Sequence, residues 1–261
     1  MLFSLIFLFS ITLFCNLLNL YQFMSVSQTT NITDNGNTDA WFNKGLLLYE
    51  IERYEEAIGN FEKIIQIEPE YLDAWNMKGL SLSELGRYEE AIASYDKITV
   101  IDLNYFNAWF NKGLAFAELG RYGEAIASYD IALQIEPRNV NALIEKGLTL
   151  SELGRYEEAI ASYDKILAIN STDVDALNGK AFALTNINRH EDALSIVKQP
   201  LQSNPNNEYL LTTMAFIQYN LGKYEEAKTY YNKSLQVNPN ISKILTDREL
   251  EAFNAVIDTQ Q

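Results

Sequence analysis

The chain has one cysteine, one histidine, five prolines and only 20 basic residues among its 261. Each scarcity removes a class of function. Cys15 has no intrachain partner, so no disulfide framework is available. With His190 as the one histidine, a zinc centre, a Cys/His nucleophile pair and a Ser-His-Asp triad lack the side chains they need. The 35 acidic residues set the formal net charge at −15. No basic face can be assembled to neutralise phosphates, which argues against nucleic acid as a partner. The sequence points to no cofactor, no metal and no enzyme.

Charge is also missing locally. No charged side chain occurs from Met1 to Thr33, and the first basic residue is Lys44. Residues 1–24 carry the run LFSLIFLFSITLFCNLLNLYQFM. A helix of that length is roughly 34 Å, enough to cross a bilayer core of about 30 Å. The run fits a retained membrane anchor with the rest of the chain outside the cytoplasm. It also fits a signal peptide cleaved on secretion, since Ser25-Val26-Ser27 is a small-x-small site, although no basic n-region precedes it. Residues 25–37 are rich in Ser, Thr and Asn and read as a polar linker. Asn31-Ile32-Thr33, Asn170-Ser171-Thr172, Asn232-Lys233-Ser234 and Asn240-Ile241-Ser242 are glycosylation sequons.

What the chain has in abundance is self-similarity. Lys78 to Ile98 reads KGLSLSELGRYEEAIASYDKI, and Lys146 to Ile166 reads KGLTLSELGRYEEAIASYDKI. The two lie 68 residues apart, twice 34. Phased at 34, six units follow one another: 38–71, 72–105, 106–139, 140–173, 174–207 and 208–241. Each reads as two helices. The first carries Trp41, Gly45 and Leu48 or their equivalents on one face. Gly86, Gly120, Gly154 and Gly222 fall where that helix should stop. Acidic pairs such as Glu89-Glu90 open the second helix at the positive end of its dipole.

An alanine follows in every unit (Ala57, Ala91, Ala125, Ala159, Ala193, Ala227), predicted to face the glycine and let the two helices approach. Four residues on, Phe61, Tyr95, Tyr129, Tyr163 or Tyr231 is predicted to fill the space between neighbouring units. Pro200 lies inside the fifth unit's second helix, where it should kink or end it. In residues 242–261, Thr246-Asp247-Arg248-Glu249 forms a capping box ahead of Leu250, Phe253, Val256 and Ile257, the pattern of a C-terminal capping helix.

This pattern resembles the tetratricopeptide repeat, whose W-x2-L-G-x2-Y…A-x3-F…P signature has the same period. The resemblance implies an all-α, right-handed α-solenoid of helix-turn-helix repeats. The chain departs from the signature at two places: Lys44, Lys78, Lys112, Lys146 and Lys180 replace a leucine, and Leu103 and Ser171 replace the terminal proline. The resemblance also implies a concave groove that receives a peptide, lined by unit positions 2, 5, 9, 12 and 13.

Those positions place Phe42, Leu46 and Glu50 in the groove from the first unit, and Asn76, Leu80 and Glu84 from the second. The third contributes Phe110, Leu114 and Glu118, and the fourth Ile144, Leu148 and Glu152. No Lys or Arg occurs at any of the five positions in any unit. The groove is therefore an apolar strip edged with carboxylates, suited to a basic peptide or helix with apolar anchors. Chaperone-binding members of the family grip a C-terminal carboxylate with Lys and Asn, and the missing lysine at position 5 argues against that ligand here. The function expected is a non-enzymatic interaction scaffold, held at a membrane through the N-terminal segment or exported. The alternative is a self-associating architectural protein or complex assembly factor. His190 stands where Tyr54, Tyr88, Tyr122, Tyr156 and Tyr224 stand in other units, so it reads as a packing variant.

Overall fold

The computed structural model describes residues 37–241. Among the described residues there are twelve α-helices and no strand. They fall into two compact units, divided between Ala108 and Trp109. The first unit contains α1 (Thr38–Glu50), α2 (Tyr54–Ile67), α3 (Leu72–Glu84) and α4 (Tyr88–Ile101). The division falls in the first turn of α5 (Phe106–Glu118). The second unit continues with α6 (Tyr122–Ile135), α7 (Val140–Glu152), α8 (Tyr156–Leu167) and α9 (Val174–Asn186). It ends with α10 (His190–Ser203), α11 (Glu208–Asn220) and α12 (Tyr224–Val237). Consecutive helices pack on each other within each unit, which makes an all-α helical-repeat solenoid.

The sequence supplies the helix ends. Asn37, Asn139, Asp173 and Asn207 each accept the backbone N–H three residues on, at 2.9–3.1 Å, satisfying one orphan donor of the helix that follows. The second helices start differently. Their N-cap is Arg53, Arg87, Arg121, Arg155 or Arg189 in the first five and Lys223 in the last, with no side-chain cap. The guanidinium instead pairs with the acid at i+3, as in Arg87 to Glu90 at 2.5 Å. That hydrogen bond, with the charge behind it, holds the Glu90 carboxyl below its ordinary pKa.

Between paired helices the chain reverses through one left-handed residue. Gly86 has φ +71°, its N–H donates to the Ser83 carbonyl, and the Arg87 N–H reaches the Leu82 carbonyl at 2.9 Å. These two bonds close a Schellman motif. Glu52 and Asn188 take the same conformation, both at φ +61°, in the turns that lack glycine.

The glycines inside the first helices have a different task from the one expected. A Cβ on Gly45 would stand 2.5 Å from Cε1 of Phe61, and one on Gly79, Gly113 or Gly147 would strike the ring of Tyr95, Tyr129 or Tyr163. So the aromatic ring of the same helix pair, not the alanine, occupies the space over the glycine. The alanines are fully buried nonetheless. Tyr163 also meets Gly179 of the next pair, so this ring does fill the space between neighbours. Of the two outcomes expected at Pro200, an end to the helix is overturned. α10 runs through it to Ser203, and the Pro200 carbonyl accepts from the Asn204 N–H at 2.9 Å. A proline that near the C-terminus removes one bond and leaves the last turn intact.

Residues 1–24, most of the 25–37 linker and the predicted cap at 242–261 lie outside the described residues. No helix among the described residues is long and apolar enough to cross a membrane.

Candidate functional site

In the first unit, Phe42 on α1 is half-buried, its ring 5.8 Å from Phe61 and 5.5 Å from Tyr71. Leu46 and Leu80 are half-buried and Asn76 is buried, so the α3 member at position 5 has little surface to offer. Glu50 and Glu84 are exposed; the Tyr49 hydroxyl donates to Glu84 Oε1 at 3.4 Å.

In the second unit the same positions are more open. Phe110 is half-buried with its ring 6.0 Å from that of Tyr129. Leu114 and Ile144 are half-buried, Leu148 is 48% exposed, and Glu118 and Glu152 are exposed. Beyond Glu152 the stripe closes at its central positions, although Tyr209 at position 2 of α11 is 45% exposed. Thr185, Thr212 and Phe216 are buried, Phe182 stacks on Phe216 at 5.4 Å, and Asn178 accepts from the Thr213 hydroxyl at 3.0 Å.

The glutamates at position 13 are the last residues of α1, α3, α5 and α7. An acid in the final turn faces the negative end of the helix dipole, at a cost of about 0.3–1 kcal/mol each. No basic residue occupies the last turn of any of these four helices. Local folding therefore does not explain the glutamates. The Glu pairs that open the second helices are the opposite case, since the dipole favours them.

Glu145 at position 6 of α7 escaped the sequence reading. Burial first, and then the charge of Glu118, raise its pKa above the ordinary carboxylate value. The signal was present: position 6 is Asn43, Met77, Asn111, Gly179 or Thr213 elsewhere and acidic only here. The buried Tyr129 hydroxyl is pushed up as well, by its burial and then by Glu145. No group of three or more His, Cys, Asp or Glu side chains that could hold a metal ion occurs among the described residues. His190 is half-buried at the start of α10.

Three family models, each describing the tetratricopeptide repeat, match the chain. One covers residues 76–140 and 110–174, another 150–215, and a third 38–71 and 209–241. No curated protein matches the sequence. Among solved structures, a tetratricopeptide repeat protein from Parabacteroides merdae is 18% identical with a TM-score of 0.69, over 86% of this chain and 93% of that one. YrrB, described as a TPR protein with an unusual peptide-binding site, is 22% identical with a TM-score of 0.58, over 75% of this chain and 96% of that one. A MamA fragment from Desulfovibrio magneticus RS-1 is 18% identical with a TM-score of 0.58, over 65% and 96%. Such identities establish the fold and nothing finer.

Proposed function

The chain belongs to the tetratricopeptide-repeat family, and on that premise we propose a non-enzymatic scaffold that holds a partner's peptide or helix in its groove. The ligand carries apolar anchors and net positive charge. One observation supports this above the others: in each compact unit two glutamates sit at helix C-termini, where the dipole disfavours them, on helices whose apolar groove positions are half-buried or exposed and carry no basic side chain. The apolar members supply contact area, and the rim acids steer a basic ligand toward it. The peptide-binding site named for YrrB is a property of that protein and supports the reading by shared fold alone. Residues 1–24 tether the scaffold to a membrane or direct its export.

Selection of random dodecapeptides on the purified chain tests the ligand class. Enrichment of Lys or Arg together with Leu or Phe is expected. Leu148→Glu should weaken the selected peptides tenfold or more at unchanged helical signal. Neutral winners, or affinity indifferent to Leu148, would sink the reading. Leu148 is a cleaner probe than Phe42 or Phe110, because their rings also pack on core aromatics. Alkaline extraction of membranes carrying the full chain tests the tether: release into the supernatant would count against it.

Self-association is a second reading, favoured by the apolar surface where α4 ends. Val100 is 83% exposed and Leu103 is 68% exposed. If that surface joins two copies, light scattering should show a dimer that Val100→Glu with Leu103→Glu converts to monomer.

A further inference from the structure

Resting on the export reading of residues 1–24 above, we infer that Asn170, in the loop between α8 and α9, is an acceptor for an N-linked oligosaccharide on the folded chain. Asn170-Ser171-Thr172 meets the Asn-x-Ser/Thr requirement with no proline in the middle. At the same unit positions the other loops read Glu68-Pro69-Glu70, Asp102-Leu103-Asn104, Glu136-Pro137-Arg138, Asn204-Pro205-Asn206 and Asn238-Pro239-Asn240. None of these triplets is a sequon. Only the fourth unit combines an asparagine, a middle residue other than proline and a hydroxyl two places on.

The backbone departs from the repeat at the same place. α8 stops at Leu167, so six residues, Ala168 to Asp173, join it to α9, where each of the other four junctions between helix pairs has four. Asn170, Ser171 and Thr172 are all exposed. Oδ1 of Asn170 accepts the Thr172 N–H at 3.1 Å and the Thr172 hydroxyl at 2.9 Å. Both donors act on the oxygen, which leaves Nδ2, the atom that must react, without a hydrogen bond among the described residues.

The sequons at Asn232 and Asn240 lack this presentation. Asn232 is exposed but lies inside α12, and the hydroxyl of Ser234 is fully buried and donates to the Tyr231 carbonyl at 2.7 Å. In Asn240-Ile241-Ser242 the middle side chain is fully buried. Drawing either triplet into an enzyme's cleft means opening a helix or the core, whereas the Asn170 loop needs no such opening. In the reaction, Nδ2 displaces diphosphate from the anomeric carbon of a lipid-diphosphate-linked oligosaccharide. The C–O bond to the diphosphate breaks, a C–N bond to Asn170 forms, and the proton lost from Nδ2 passes to the departing lipid diphosphate.

The test takes the purified full-length chain with Asn31→Gln, folded in detergent micelles, and adds an oligosaccharyltransferase with a lipid-linked oligosaccharide. Peptide mass spectrometry reads occupancy at each sequon. Asn170 should be occupied about tenfold or more above Asn232 and Asn240. Asn170→Gln and Thr172→Ala should each remove that glycan. Ser171→Pro, which restores the family's residue, should remove it as well, at undiminished melting temperature. A bare Asn170, equal occupancy at Asn232, or a glycan that survives Ser171→Pro overturns the inference. Translation of the same chain with microsomes, followed by protease, reads export separately. A protected chain that is bare at Asn170 overturns the inference and leaves export standing. An unprotected chain removes the export reading and the inference with it.

Discussion

Gly147→Ala is the sharpest test of how the helix pairs close. A Cβ at this position would lie 2.7 Å from Cζ and 2.8 Å from Cε1 of Tyr163. That ring is 1% exposed and meets Gly179 as well, so it has no free side to retreat to. Overpacking of this kind costs about 1–3 kcal/mol. Alanine in mid-helix recovers about 0.5–1 kcal/mol relative to glycine. The net expectation is a loss of about 1–2 kcal/mol. In a Tyr163→Leu background the obstructing ring is gone, and the same substitution should stabilise by about 0.5–1 kcal/mol. The double-mutant cycle therefore predicts a change of sign and a coupling of about 1.5–3 kcal/mol. Urea denaturation of the four proteins measures it. A Gly147→Ala that stabilises both backgrounds would show that the glycine is not there for the ring.

Three further outcomes follow from named contacts. Glu52 sits at φ +61°, a conformation that costs a side-chain-bearing residue about 1–2 kcal/mol. Glycine removes that cost and gives back part of it as unfolded-state entropy, so Glu52→Gly should raise stability by about 0.5–1 kcal/mol by urea denaturation. Lys180 pairs with Asp164 at 2.6 Å across a partly exposed interface. Lys180→Met should change stability by less than about 1 kcal/mol by thermal melting, and a larger loss would mean the pair is worth more than its exposure allows. Glu145 has its pKa raised in the folded state, so the native protein binds that proton more tightly than the unfolded chain. Its ionised form therefore destabilises the fold above the folded pKa. That penalty should disappear as pH falls toward the ordinary carboxylate value of about 4.3. Glu145→Gln should then melt higher than the parent at neutral pH, with the difference closing toward pH 4.

The fold was legible because each unit repeats the same local decisions. Caps, left-handed turn residues and a 3.6-residue apolar period all announce themselves in sequence and agree with one another. What was hard to read lay in three dimensions. The partner of Gly45 could be guessed from spacing alone as Ala57, whereas ring position depends on side-chain direction, which spacing does not carry. Pro200 does not end its helix, because its distance from the helix end, not its presence alone, decides whether the last turn survives. At the candidate site, the stripe was legible as positions. The half-burial of Leu80 and the openness of Leu148, two helix pairs apart at equivalent places, depend on what neighbours cover. Glu145 was passed over because position 6 is not among the expected groove positions.

The lysines that depart from the family signature show how the charge came to be distributed. Lys78 pairs with Glu62 at 2.8 Å, Lys146 with Asp130 at 2.5 Å and Lys180 with Asp164 at 2.6 Å, each acid belonging to the preceding helix pair. Lys78 also lies 5.5 Å over the Trp75 ring, so the aliphatic stem packs where a leucine would and the ammonium reaches outward. Where the acid becomes Lys198, the following lysine becomes Met214, which is buried. Two positions sixteen residues apart thus change together, and two like charges are kept from facing each other. The arginines before the second helices are likewise engaged by their own acids, as Arg53 is with Glu56 and Arg155 with Glu158. With so many of its few basic side chains committed to these pairings, the chain leaves a surplus of acid on its surface. Glu145 and the exposed Glu152 are part of that surplus, on the helix that also keeps Leu148 open. The proposal of a basic, apolar-anchored ligand draws on that helix, and the same partition of charge that builds the repeat interfaces leaves those acids there.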